Sequence, residues 1–115
     1  MGEVEQVLAA YGAGEVPDRA AVKAAVKASL AQLAARAPGR SVEVRVPPYA
    51  AVQVSGGATH RRGTPPAVVE CDARTWLELA AGRLSWADAV DTGRLRASGQ
   101  RSDLSAYLPL TVTDE

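Results

Sequence analysis

Phenylalanine is absent from this chain, cysteine and histidine occur once each, and aromatic residues make up only 4%. A single cysteine, Cys71, excludes an internal disulfide, and one Cys with one His falls short of a four-ligand zinc site. An excess of one charge sign is also missing, because thirteen basic residues balance thirteen acidic ones. That removes the positive field by which proteins hold phosphate backbones, so nucleic acid is not an expected partner. No apolar run approaches the roughly 20 residues of a membrane span. The N-terminus, Met1-Gly2-Glu3-Val4-Glu5, begins acidic rather than with the basic-then-apolar profile of an export signal, so the expected location is cytoplasmic. Glycine-rich nucleotide loops, a His-Glu-x-x-His helix, a Gly-x-Ser-x-Gly elbow and paired-Cys motifs are all lacking. The sequence therefore offers no catalytic residue, no metal site and no cofactor, and an enzyme is not expected.

What is present is an ordinary globular composition, 47% hydrophobic and 23% charged over 115 residues, which supports one domain over 1–115 with a single core. Val4, Val7, Leu8 and Tyr11 carry a helical pattern short enough to fray, closed by Gly12 and Gly14. Pro17-Asp18 opens a second helix, in which Val22, Ala25, Val26, Leu30 and Leu33 form an apolar face until Pro38-Gly39. Val42, Val44 and Val46 alternate with polar residues as a half-buried strand does, and Pro47-Pro48 interrupts it. Tyr49 to Val54 is a second β segment. Ser55-Gly56-Gly57 can reverse the chain, so an antiparallel meander continuing into a strand over Ala67 to Cys71 is predicted. Asp72 caps a helix reaching Leu79 or Ala80 and stopped by Gly82; Ser85 starts another, with Trp86, Ala89 and Val90 at helical spacing and Gly93 at its end. Leu95 and Ala97 alternate in a fourth strand. Ser102 to Leu108 suggests a short terminal helix, with Leu104, Tyr107 and Leu108 on one face and a loose tail beyond.

The ordered set Asp72, Trp76-Leu77, Leu79, Gly82, Leu84, Ala89, Gly93, Leu95, Gly99, Leu104 and Leu108 resembles the C-terminal half of the sterol carrier protein domain. The segments Val42-Glu-Val-Arg-Val-Pro-Pro-Tyr-Ala-Ala-Val-Gln53 and Arg62-Gly-Thr-Pro-Pro66 are similar to those of short, actinobacterial-type members of that family. The resemblance runs from about residue 18 to residue 110. It implies an α+β fold, sterol-carrier-protein-like, with a twisted, largely antiparallel sheet of about five strands covered by helices. It also implies an apolar tunnel or cleft between the layers that holds a lipid or other apolar small molecule for binding or transport, without catalysis. Related domains accompany thiol-dependent maleylpyruvate isomerases, whose separate catalytic domain has no counterpart in this sequence.

On this reading the ligand-binding candidates are Tyr49, Trp76, Leu79, Trp86, Val90, Leu104, Tyr107 and Leu108. Trp76 and Trp86 could pack flat against a hydrocarbon; taken singly, each reads first as a large core residue in a chain without Phe. Tyr49 and Tyr107 could present hydroxyls to a head group or simply to water. His60, Arg61 and Arg62 form the compact cationic cluster that could cradle an anionic head group, although such clusters are commonly solvated loops. Cys71, between Glu70 and Asp72, is expected to have a raised pKa and to be inert. Two other readings stay open: a structural or interaction module, as a homodimer or an accessory to an enzyme, and a small enzyme or enzyme half-site using His60 and Arg62.

Overall fold

The computed structural model describes residues 2–54, 67–98 and 102–110. Along the chain run α1 (Gly2–Gly12), α2 (Arg19–Arg36), β1 (Val42–Val46), β2 (Ala50–Val54), β3 (Ala67–Cys71), α3 (Ala73–Ala80), α4 (Trp86–Asp91), β4 (Leu95–Ser98) and a 3-10 turn, Ser105–Tyr107. The architecture is α+β: a four-stranded mixed sheet, in the order β2-β1-β3-β4, packed against helices.

The caps form as the sequence predicts. Asp18 Oδ2 accepts from Ala21 N–H at 3.2 Å, Asp72 Oδ1 from Thr75 N–H at 2.8 Å, and Ser85 Oγ from Asp88 N–H at 3.1 Å, each satisfying a donor that a helix start leaves free. Gly82 and Gly93 take φ values of +79° and +76° behind α3 and α4, where a side chain would be strained. The first helix is docked rather than frayed. It buries Val4, Val7 and Leu8, its Glu5 pairs with Arg83, and Arg74 lies 5.1 Å over the Tyr11 ring.

The strands repeat the predicted alternation. Val42, Val44 and Val46 are buried on the helix side, level with Val54 of β2 and with Ala67 and Val69 of β3. Glu43, Arg45, Gln53 and Glu70 point to the opposite, wetter face, where Glu43 and Arg45 pair at 3.2 Å. The meander does not continue past β2. Pro47-Pro48 makes the tight turn between β1 and β2, closed by Tyr49 N–H donating to Val46 O at 2.9 Å. The third strand then lies on the far side of β1 and parallel to it, with Val44 opposite Val69. Alternation states which face a strand buries, and this placement keeps the rows Val54–Val42–Ala67 and Val52–Val44–Val69 on the helix side. It does not state which neighbour a strand takes. Two of the three pairings, β1 with β2 and β3 with β4, are antiparallel. The expected turn at Ser55-Gly56-Gly57, and any fifth strand, lie outside the described residues.

The predicted terminal helix is replaced by the single 3-10 turn followed by an extended strap. The carbonyls at its end are met by side chains of α2. Arg36 donates to Tyr107 O (3.0 Å), Pro109 O (3.1 Å) and Leu110 O (3.3 Å), while Gln32 donates to Leu110 O (3.2 Å). Leu110 N–H donates to Ala80 O at 2.9 Å, tying the strap to the end of α3. Extension lets Leu104 and Leu110 both reach the core, where each is fully buried.

Within that core Trp76 is the largest buried side chain, and its indole N–H donates to Ser29 Oγ at 2.8 Å. Ser29 in turn donates to Ala25 O at 2.7 Å, so no buried side-chain polar atom among the described residues lacks a partner. Replacing Ser29 by Ala should cost about 1–3 kcal/mol, because the indole N–H stays buried without its acceptor. Adding Trp76→Phe to Ser29→Ala should cost less than the two single changes summed, since both partners are then gone. Urea denaturation of the three variants checks this, and strictly additive losses would contradict it.

Candidate functional site

The candidates divide into three places. Trp76 and Leu79 sit on the inward face of α3, a helix whose burial includes Ala73, Thr75, Leu77 and Ala80 as well. Leu104 reaches the same core from the strap. Trp76 and Leu79 are each 1% exposed and Leu104 0%. A side chain bordering a void the size of a water molecule has area open to that void. In this packed arrangement the three present no surface to a ligand.

Trp86, Tyr107 and Leu108 lie at the margin of the core, partly buried against it. Val90 does not join them in burial: it is 43% exposed, and α4 buries Ala89 instead. Trp86 and Ala89, three residues apart, share the inward side of α4, and Val90, the next residue round the helix, turns away from it.

Tyr49 belongs to a third place, at the β1–β2 turn. It lines a cleft of about 390 Å³, open to solvent, with Arg45, Pro47, Pro48, Ala50, Ala51 and Glu70. None of the other predicted candidates lines this cleft. The sequence signal for it was Pro47-Pro48-Tyr49, which reads first as an interruption of a strand. Tyr49 also acts on Tyr11, whose pKa rises mainly through burial, with Tyr49 and Asp72 adding to the rise and Arg74 opposing it. His60, Arg61 and Arg62 lie outside the described residues.

Two further groups escaped the sequence reading; apart from the Arg74–Glu78 pair, their partners are distant along the chain. Arg36 and Gln32, on α2, hold the strap as described above. Glu78, on the outer side of α3, accepts from Arg74 Nε at 3.0 Å and from an Arg94 guanidinium nitrogen at 2.8 Å; Arg94 Nε donates to Thr75 Oγ1 at 3.2 Å. This network fastens the connection between α4 and β4 to α3. It is saturated internally, since the half-buried carboxylate already meets two guanidinium groups.

Cys71 ends β3 on the helix side and is buried. Burial pushes its thiol up to about 12, and Asp72 and Glu70 add to the rise against a lowering by Arg94. The neighbouring carboxylates act in the direction the sequence suggests, but loss of water around the sulfur is the larger cause. Among the described residues no three His, Cys, Asp or Glu side chains come together as a metal site, and no helix is long and apolar enough to cross a membrane.

No curated protein matches the chain. A family model described as bacterial SCP ortholog matches residues 18–110, which takes in every element from α2 to the strap. The chain belongs to that family, the bacterial SCP orthologs, in agreement with the residues that resemble a sterol carrier domain.

Proposed function

We propose that the protein reversibly binds an apolar small molecule of the lipid class, between α2, α3 and the sheet, and does not convert it. The observation that carries this reading is the chemistry of that layer. It is built from Val, Leu and Ala side chains, and its indole and hydroxyl groups at Trp76 and Ser29 are already paired to each other. A polar guest entering there would lose its hydration and find no free partner, whereas an apolar guest forfeits no hydrogen bonds. The thiol of Cys71 is the conspicuous nucleophile facing this layer, and burial keeps it protonated. Membership of a sterol-carrier-type family supports the same conclusion. Trp76 and Leu79 would then touch the ligand from within and Trp86 from the margin, while Leu104, Tyr107 and Leu108 cover the same layer when no ligand is bound and Val90 stays at the surface. Tyr49 belongs to the separate cleft and would serve a head group only if the ligand extended around the sheet end.

A second reading, a structural or interaction module, as a homodimer or as an accessory to an enzyme, is favoured by one observation. The closed packing at Trp76, Leu79 and Leu104 is what an ancestral cleft filled by side chains would present.

Native mass spectrometry of freshly purified protein, combined with titration by a fluorescent fatty acid, separates the two. Binding of the probe at roughly micromolar concentrations, well within the range of ordinary affinities, is expected for the carrier. Absence of both bound lipid and probe binding would favour the module. The inertness of Cys71 has its own test. The native thiol should react with an aromatic disulfide reagent at pH 8 at less than about one-hundredth of the rate seen in urea. Because its folded pKa lies above its ordinary value of 9.0, its contribution to stability is fully present below pH 9 and is lost as pH rises towards about 12. Rapid labelling of the native protein at pH 8 would contradict the assignment.

A further inference from the structure

We propose that the strap over residues 104–110 is an internal competitor for the apolar ligand, and that Arg36 sets how readily it yields; this rests on the carrier reading above. The strap differs from the rest of the core in how it is held. Each strand is fixed by a ladder of backbone bonds and each helix by its own. Among the described residues, the strap has one 3-10 turn of its own, one backbone bond to the body, Leu110 N–H to Ala80 O, and side-chain bonds from α2. Three of those side-chain bonds come from the single guanidinium of Arg36, and a fourth from Gln32.

Arg36 itself is exposed, so water can replace its bonds to the carbonyls at little cost. The leucines it holds in place are not exposed at all. Leu110 is seated where the last turns of α2 meet the end of α3, and Leu104 belongs to the same core. Pro109 packs so closely on α3's terminal glycine that a Cβ at Gly82 would lie 3.1 Å from the proline's own Cβ. A plug of buried leucines held by a solvent-exposed clamp can be lifted without unfolding either helix or the sheet. The space vacated is lined by hydrocarbon and suits the same chemistry of guest. Strap and ligand would therefore exclude each other, and the observed affinity would be the intrinsic one reduced by the fraction of molecules with the strap lifted.

The test compares the wild-type chain with Arg36→Met, which keeps an apolar stem and removes the donors, and with the milder Gln32→Ala. Dansyl-undecanoic acid is the probe, and hydrogen exchange at the Leu110 amide is read in parallel. Arg36→Met should bind the probe about tenfold more tightly than wild type, with Gln32→Ala between them, in line with a larger open fraction. Adding probe to the wild type should speed exchange at Leu110, whose N–H loses Ala80 O when the strap lifts. A clamp with only a structural role would lower stability in Arg36→Met without raising affinity. If the wild type binds probe but neither variant binds it more tightly, or if probe protects the Leu110 amide, the competition is overturned while the carrier reading stands. If no form of the protein binds probe, the carrier reading fails and the competition fails with it. Should Arg36→Met not fold, Gln32→Ala decides by the same criteria.

Discussion

The bond from the Trp76 indole to Ser29 Oγ fixes how α2 faces α3, and much of the remaining structure follows from it. With no phenylalanine in the chain, a single tryptophan fills the volume that several rings would share elsewhere. An indole can be buried only if its N–H is met. Ser29 can meet it because the serine's own proton goes back to the carbonyl of Ala25, a local bond that a helix interior tolerates. That constraint sets the rotation of α2. Ser29 lies on the stripe that carries Val22, Ala25, Val26 and Leu33 inward, and continuing along the same side of the helix leads to Gln32 and Arg36. Orienting Ser29 towards Trp76 therefore also aims the strap's donors at residues 107–110.

Much of this fold was legible in the sequence because its elements are short and punctuated. Asp18, Asp72 and Ser85 each cap the helix predicted for them, and the valines of β1 bury the predicted face. Pairing was less legible. A strand whose alternate residues are all valine will accept a parallel or an antiparallel neighbour on either side, because either keeps the apolar rows aligned. Nothing in the alternation of the strands themselves selects the parallel contact of β1 with β3. The strap was misread for a related reason. Leu104, Tyr107 and Leu108 have helical spacing, but Pro109 supplies no N–H to extend a helix, and Arg36, some seventy residues earlier, meets the carbonyls of the extended chain that follows the turn.

The candidate site was legible in its chemistry and not in its geometry. Periodicity showed which residues are apolar, and it placed Trp76 and Leu79 on an inward face correctly. The same periodicity put Val90 beside Ala89, where a longer helix would have made a broad buried stripe and this six-residue one does not. Tyr49 was selected for its amphipathic ring, yet its actual setting comes from the tight turn at Pro47-Pro48, a feature that reads as an interruption. The first helix shows the converse. It precedes the part of the chain that matches the family, yet its Val4, Val7 and Leu8 are integral to the core.

A small domain that binds a ligand as proposed would face a conflict between packing and hollowness, and this structure offers a particular way to meet it. Holding an empty apolar cavity of about 100 Å³ costs about 2.4 kcal/mol on the scale set by core truncations. Against a total stability of roughly 5–15 kcal/mol, that is a heavy permanent cost. Filling the space with leucines removes it, and burial of each returns about 1.5–3 kcal/mol. The same gain then opposes any ligand that needs the space, unless the filling side chains belong to a segment that can leave alone. Leucines on α3 could not leave without breaking the helix, whereas Leu104 and Leu110 belong to a segment without a ladder, held largely from outside by Arg36. On the proposed reading, placing the filling there would keep the protein well packed without ligand and confine the opening cost to one short segment.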